Sequence, residues 1–253
     1  MHGAALRVLG LDHVYLAFHV AAEGLGRALR GAGSLGFGGV NLTVPHKQAA
    51  LTIVDELSEA ARRIGAVNTV LFDGGRLRGD NTDSPGFARA LAQLGGPKPQ
   101  RAMVLGGGGA ARAVVDALLG EVGARELRWV SRRPERLGFR GAGERLRCLD
   151  YGALAGHLGV DVLVNCTTVG MHGGPQEFPV ELALDTLDGP RPRVVDIVYP
   201  RRAGGLLDRA EAAGAAVQDG REMLLWQGVI ALELWLGRSL PEEAITAMRA
   251  ALA

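Results

Sequence analysis

Apolar residues recur along this chain in two rhythms. Short apolar or alternating runs of strand length trade places with longer stretches that repeat at the helical spacing. Met1 to Leu9 predicts a helix ended near Gly10, Val14 to Val20 a strand, and Ala22 to Arg30 a helix. Phe37 to Val44 predicts a strand, followed by Pro45-His46-Lys47 and two short helices, Gln48 to Val54 and Ser58 to Arg63. Val67 to Phe72 and Arg76 to Gly79 predict a hairpin around Asp73-Gly74-Gly75. Ser84 could cap the next helix, with Pro85 at its first position and Phe87 to Leu94 as its body. Strands then recur at Arg101 to Leu105, Glu126 to Ser131, Val160 to Cys166, Arg193 to Val198 and Ala215 to Gln218, with helices at Ala110 to Leu119 and Leu206 to Ala213. Beyond Gly220 only helices are expected, Glu222 to Leu236 and Pro241 to Leu252, and these return to the first unit. Such alternation predicts an α/β protein of two domains with parallel strands. Residues 1–83 with 220–253 form an N-terminal substrate domain, and 84–219 a doubly wound nucleotide domain.

The centre of the pattern is Val104-Leu105-Gly106-Gly107-Gly108-Gly109-Ala110-Ala111-Arg112, set between a strand and a helix. Gly106, Gly108 and Ala111 fit the G-x-G-x-x-G/A dinucleotide fingerprint. One glycine makes the turn, one lets a pyrophosphate approach, and a small third residue lets helix and strand pack. The helix N-terminus then offers free N–H groups to phosphate. A plain glycine-rich turn is the rival reading, because the chain carries 38 Gly. The next strand ends without an acid, in Ser131-Arg132-Arg133-Pro134-Glu135-Arg136. Arg132, Arg133 and Arg136 suit a 2′-phosphate and so NADP; a solvated basic turn is the alternative.

Composition narrows the classes. The chain has 253 residues, 47% apolar and 22% charged, with net charge +1. No basic excess argues for nucleic acid and no apolar run approaches a membrane span, so the expected partner is a small molecule. Cys148 and Cys166 are too few for a disulfide framework; they predict buried free thiols in a cytoplasmic protein. No Cys/His cluster has metal-ligand spacing, and a homodimer is left open. Of 28 Lys+Arg, only Lys47 and Lys98 are lysine, which singles out Lys47 as a compact ammonium able to give up a proton. Polar residues gather at expected strand ends: Asn41, Thr43 and Lys47; Asn68 and Thr69; Asn81, Thr82 and Asp83; Asn165, Thr167 and Thr168; and Tyr199. Lys47 with Asp83 is the pair suited to acid–base work there. A surface ion pair and a helix N-terminal carboxylate are the bland alternatives, and His46 is expected to be packed rather than catalytic.

These residues carry a resemblance to the shikimate dehydrogenase family across nearly the whole chain. Asn41-Leu42-Thr43-Val44-Pro45-His46-Lys47 resembles its N-V-T-x-P-x-K motif, and Gly65-Ala66-Val67-Asn68-Thr69 its G-A-x-N-T element. Gly79 to Phe87 resembles G-x-N-T-D-x-x-G-F, and Asn165 to Met171 resembles N-A-T-S-x-G-M. Asp196-Ile197-Val198-Tyr199 and Gly220 to Gln227 resemble its C-terminal signatures.

The resemblance implies an NADP-dependent reduction of 3-dehydroshikimate to shikimate, in the pathway to chorismate and the aromatic amino acids. Lys47 and Asp83 would be the catalytic pair, and Thr43, Asn68, Tyr199 and Gln227 would line the substrate site. The cofactor would meet Gly106, Gly107, Gly108, Gly109, Ala110, Ala111, Ser131, Arg132, Arg133, Arg136, Thr167, Val198 and Gly220. Ser131 and Arg133 depart from the family's N-R-T-x-x-R, while Arg132 and Arg136 remain. A quinate/shikimate enzyme with relaxed cofactor use would carry an acid near Arg132; a dead binding protein would not retain Lys47 and Asp83. The family also opens with a strand and a G-x-P-x-x-x-S-x-S segment, whereas Met1 to Leu6 resembles the helix that follows them. A start upstream of Met1 is therefore expected. A product beginning at Met1 is expected to be poorly soluble and weak in shikimate turnover, with a nucleotide domain still able to bind NADP.

Overall fold

Cap and turn chemistry sets the start of one helix and the turn of one hairpin. The structure, a computed structural model, describes residues 1–139, 141–154 and 158–252. Along the chain run α1 (His2–Val8), α2 (Leu25–Ser34), β1 (Gly39–Asn41), α3 (His46–Ala49), β2 (Glu56–Leu57), α4 (Glu59–Ile64), β3 (Thr69–Asp73), β4 (Arg76–Asp80) and α5 (Asp83–Leu94). There follow β5 (Arg101–Leu105), α6 (Gly109–Leu119), β6 (Glu126–Val130), β7 (Leu146–Leu149), β8 (Val162–Asn165), β9 (Arg193–Asp196), α7 (Leu206–Ala212), β10 (Ala216–Gln218), α8 (Gly220–Leu236) and α9 (Glu242–Ala250). The Ser58 hydroxyl accepts from the Ala61 N–H at 3.1 Å and so caps α4. Gly74 and Gly75 take φ of 53° and 82°, the pair of positive values that a two-residue hairpin asks for, and they join β3 to β4.

The chain divides into two compact units, Met1–Gly86 with Leu224–Ala253, and Phe87–Met223. The sequence reading put its boundaries at 83/84 and 219/220. In the first unit, among the described residues, four strands form a sheet in the order β1-β3-β4-β2. Leu25, Leu29, Leu42, Val67, Val70 and Leu77 make one apolar cluster around it. A second cluster joins α1, α8 and α9 through Leu6, Leu225, Val229, Leu232, Ile245 and Met248. Trp235 of α8 donates its indole N–H to the Val70 carbonyl of β3 at 3.2 Å.

The second unit holds, among the described residues, six parallel strands in the order β10-β9-β8-β5-β6-β7. The order runs outward in both directions from β5 and β8, the doubly wound arrangement with its switch point between those two strands. Met103, Leu105, Val130, Leu163 and Val194 are fully buried in its core, as continuous apolar strands covered on both faces should be.

Four expectations need correction. The first unit's sheet is mixed rather than parallel: β1 and β3, and β3 and β4, pair antiparallel, and only β2 with β4 is parallel. The short hairpin forces the β3–β4 reversal, because two residues cannot carry a parallel crossover. Val14 to Val20 forms no ladder among the described residues, and Val14, Leu16 and Phe18 are 81%, 62% and 62% exposed. Alternation becomes a strand only where a neighbouring backbone supplies N–H and C=O partners. Here Tyr15 reaches β1 by its side chain alone, its hydroxyl donating to Asn41 Oδ1 at 2.9 Å. The α5 helix starts at Asp83, so Ser84 lies inside it; Asn81 Oδ1 accepts from the Asp83 N–H at 3.1 Å instead. Cys148 is exposed rather than buried, because it lies on β7, an edge strand. Among the described residues no helix is long and apolar enough to cross a membrane.

The close approach of α5 and α8 within the first unit depends on a missing side chain. A Cβ on Gly86 would lie 2.7 Å from the Gln227 backbone nitrogen. Gly86→Ala is therefore expected to destabilise the protein by about 1–3 kcal/mol, the usual cost of overpacking. Urea titration checks this: the midpoint should fall with an unchanged slope, and an unmoved midpoint would contradict the close packing.

Candidate active site

The first unit brings Lys47, Asn68, Thr69, Thr82 and Asp83 together from three stretches of chain. Lys47 sits on α3 directly after the β1 loop, and its carbonyl accepts the Val67 N–H at 2.8 Å, which ties α3 to the approach of β3. Asp83 opens α5, where a carboxylate is favoured by the helix dipole. Lys47 Nζ donates to Asp83 Oδ2 at 2.6 Å, with the two side chains 18% and 7% exposed. The bland reading of a solvated surface pair does not describe this contact.

The other carboxylate oxygen is held from behind. Asn68 Nδ2 donates to Asp83 Oδ1 at 2.9 Å and to Thr82 Oγ1 at 3.0 Å. Asn68 Oδ1 accepts from the Thr82 N–H at 2.8 Å and from the Thr69 hydroxyl at 3.0 Å. Asn68 is 2% exposed, and these bonds use both its donors and both its acceptor positions. The sequence expected Asn68 to face substrate; in the structure its amide faces Asp83, Thr82 and Thr69. Thr43 is exposed, and Gln227 is half-buried, with its Nε2 donating to the Leu224 carbonyl at 2.9 Å. His46 is buried, with Nε2 3.0 Å from the Val20 carbonyl. Tyr199, the remaining substrate candidate, belongs to the second unit and is exposed.

In the second unit the glycine turn has the build of a phosphate cradle. Gly106 takes φ of 113°, and a Cβ there would lie 2.6 Å from the Cys166 carbonyl oxygen, so only glycine lets the turn pass the loop after β8. Gly108 caps α6 with open space beside it, and the first N–H bonded back into the helix is that of Arg112, to the Gly108 carbonyl. The N–H groups before it are therefore those a helix leaves free for an anion. Ala111 is fully buried, the close packing expected of the third fingerprint position. Trp129 of β6 was not singled out from the sequence, yet its indole N–H donates to the Gly106 carbonyl at 2.6 Å and fixes the turn. A buried indole must find an acceptor, and that was the available signal. Ser131 is half-buried, its hydroxyl accepting from the Arg133 N–H, while Arg132, Arg133 and Arg136 are exposed. These residues fit a nucleotide that carries a 2′-phosphate: glycines open to the pyrophosphate, guanidiniums free of burial, and no acid at the end of β6.

The loops after β8 and β9 are tied by a buried amide–carboxylate pair. Asn165 Nδ2 donates to Asp196 Oδ1 at 2.8 Å, and the same oxygen accepts the Val198 N–H at 3.0 Å. Burial pushes the Asp196 carboxyl up to about 6, against the pull of those two hydrogen bonds, and Asp219 adds to the rise. Burial likewise pushes the Cys166 thiol well up. Gly220 packs where a Cβ would lie against the Ile197 carbonyl.

Comparison with known proteins places this arrangement. The family model for the shikimate dehydrogenase substrate binding domain matches residues 1–70, and that for the shikimate 5′-dehydrogenase C-terminal domain matches residues 220–252. A shikimate dehydrogenase (NADP(+)) of Methanopyrus kandleri is 42% identical, over 97% of this chain and 87% of that protein. The chain belongs to the shikimate dehydrogenase family. A member of that family from Thermus thermophilus, crystallised in complex with NADP(H) and shikimate, superposes with a TM-score of 0.84 at 38% identity, over 100% of this chain and 93% of that one. The ligand-free 5-ketofructose reductase of Gluconobacter sp. strain CHM43 is also similar, with a TM-score of 0.82 and 34% identity over 99% of this chain and 90% of that one. Within the shikimate dehydrogenase frame, two doubly wound features legible in the sequence, the glycine turn and the missing acid, fall at the ends of β5 and β6.

The raised Asp196 carboxyl has a consequence for stability. Its ordinary value is 3.8, so between about 4 and 6 the folded chain holds this proton and the unfolded chain does not. The group's contribution is present below pH 4 and is lost as pH rises through 6. Thermal unfolding from pH 4 to 7 should show wild type losing stability relative to Asp196→Asn over that window; parallel profiles would contradict the assignment.

Proposed function

We propose that this chain is an NADP-dependent shikimate dehydrogenase, an oxidoreductase that reduces 3-dehydroshikimate to shikimate in aromatic amino acid biosynthesis. The observation that carries the reading is the 2.6 Å Lys47–Asp83 contact, a shielded ammonium–carboxylate pair, in a chain of this family. When bound, NADPH supplies the hydride. Lys47 gives a proton to the substrate oxygen as the carbonyl becomes a hydroxyl, and takes it back in the reverse direction. Asp83 holds and aims Lys47 through one oxygen, while Asn68 holds the other. Thr43, Gln227 and Tyr199 supply neutral hydrogen bonds to a polyhydroxylated ring. Gly106 to Ala111 hold the pyrophosphate, and Arg132, Arg133 and Arg136 neutralise the 2′-phosphate. Thr167, Val198 and Gly220 face the nucleotide from the ends of the neighbouring strands. Residues 1–83 with 220–253 act as the substrate domain and 84–219 as the nucleotide domain. The unpaired Cys148 and Cys166 suit a cytoplasmic protein.

Two measurements test this reading. Lys47→Ala and Asp83→Ala are each expected to lower kcat by roughly 10²–10⁴-fold, the worth of a positioned acid–base group, with NADP⁺ affinity nearly unchanged. The double variant should be little worse than either single one, because the two act as a unit. A wild-type rate in either single variant rejects the pair, and a higher rate with 5-ketofructose than with 3-dehydroshikimate rejects the substrate. Fluorescence titration addresses the nucleotide: NADP⁺ should bind at least about tenfold more tightly than NAD⁺, because guanidiniums form charge-assisted bonds to the extra phosphate. Equal affinities would leave the arginines a solvated turn.

A further inference from the structure

Two strands of the second unit end in loops that a single carboxylate joins. Asp196 is buried at the end of β9, and no cation is paired with it among the described salt bridges. Its Oδ1 accepts from Asn165 Nδ2 at the end of β8 and from the Val198 N–H just beyond β9. Asn165 passes the constraint on. Its Oδ1 accepts from the Thr167 N–H at 3.0 Å and from the Thr167 hydroxyl at 2.7 Å, and its Nδ2 also reaches the Val169 carbonyl at 3.3 Å. Thr167 Oγ1 in turn accepts from the Val169 N–H at 3.0 Å. The loop so held abuts the glycine turn, since the Cys166 N–H donates to the Leu105 carbonyl at 2.8 Å and the Cys166 carbonyl blocks any side chain at Gly106. On the other side, Ile197 and Tyr199 back directly onto Gly220.

A buried carboxylate without a cation is costly, so its retention needs a return. A core held only for stability would do as well with apolar residues of similar volume. What the pair gives is direction: an amide has one end that donates and one that accepts, and a carboxylate accepts only. Asp196 therefore fixes which way the Asn165 amide faces, and Asn165 fixes Thr167. The switch point of a doubly wound sheet is where such direction matters, because ligands bind beyond the strand ends there. We propose that Asp196 is a positioning residue for nucleotide binding and hydride transfer, acting through Asn165 on Thr167 and through the Val198 N–H on the chain beyond β9. This rests on the reading of the second unit as an NADP site.

Exchanging the partners tests the direction itself. Asn165→Asp, read at the alkaline end of a pH 7–10 series, puts two carboxyl groups where a 2.8 Å hydrogen bond stood; groups that close ionise in turn, so the repulsion grows as their shared proton leaves. It is expected to weaken NADP⁺ binding by about tenfold to a hundredfold, the range for losing a hydrogen bond to a charged group, and to lower kcat. Adding Asp196→Asn restores an amide facing a carboxylate and keeps the acceptors for Thr167; the Val198 N–H, which in the wild type shares Asp196 Oδ1 with Asn165, must turn to the carbonyl end of the new amide. The double variant should return to within roughly tenfold of wild type, and Asp196→Ala should lose both affinity and rate. Fluorescence titration with NADP⁺ and kcat are read well below each variant's unfolding temperature, so that loss of fold does not stand in for loss of position. Asn165→Asp with wild-type affinity and rate overturns the proposal, as does a stably folded exchange variant that recovers neither. A wild-type chain that fails to bind NADP⁺ would instead remove the nucleotide reading beneath it.

Discussion

The contact between Lys47 and Asp83 is the constraint around which the first unit is arranged. An ammonium and a carboxylate 2.6 Å apart and largely shielded from water need geometry that repays their desolvation. The fold supplies it from separate elements. The Lys47 carbonyl is tied to Val67, Asp83 begins a helix, and Asn68 on the approach to β3 spends both ends of its amide keeping Asp83, Thr82 and Thr69 in register. Asn81 completes the frame, accepting from the Asp83 N–H and donating to the Ala66 carbonyl at 3.0 Å. Side chains so saturated have little freedom to rotate, and acid–base chemistry gains from that fixity because the proton must be delivered along one line.

The second unit solves a different problem with the same means. A glycine turn that serves as a phosphate site must stay open to an anion while the adjoining loop presses against it. Gly106 meets the second demand by having no side chain, and Trp129 meets the first by holding the Gly106 carbonyl from within the core. Asn165 and Asp196 do for the loops after β8 and β9 what Asn68 does for Asp83: an amide between a carboxylate and a threonine sets the direction of the donors around it. In both units the polar groups are buried and partnered, the condition under which such a network rigidifies a site rather than weakening it.

Much of this could be read from the sequence because it rests on local rules. Gly74-Gly75 can only turn, Ser58 and Gly65 bound a helix, and an apolar strand before four glycines and an alanine-rich helix has one common use. What escaped was what depends on distant partners. Alternation over Val14 to Val20 predicts a strand, but the described structure gives that stretch no backbone to pair with. Ser84 is a good cap in isolation, yet Asn81 took the role because the Asn68 network fixes the chain at Thr82. Cys148 sits beside Leu149 in Leu146-Arg147-Cys148-Leu149, and only strand order shows that this stretch is an edge. Lys47 and Asp83 were legible as an isolated lysine and a helix-start acid; the role of Asn68 behind them was not, because saturation of an amide is a property of three dimensions.

The central claim is that this chain moves a hydride between shikimate and NADP⁺ with Lys47 carrying the proton. Shikimate bearing deuterium on the carbinol carbon that becomes the carbonyl tests it most directly, with the products of the purified wild-type chain and of Lys47→Ala weighed by mass spectrometry. The account predicts NADPH carrying one deuterium, formed one for one with 3-dehydroshikimate, at a rate above that of the variant however slow the absolute turnover. Unlabelled NADPH, or deuterium transfer by Lys47→Ala at the wild-type rate, would contradict it.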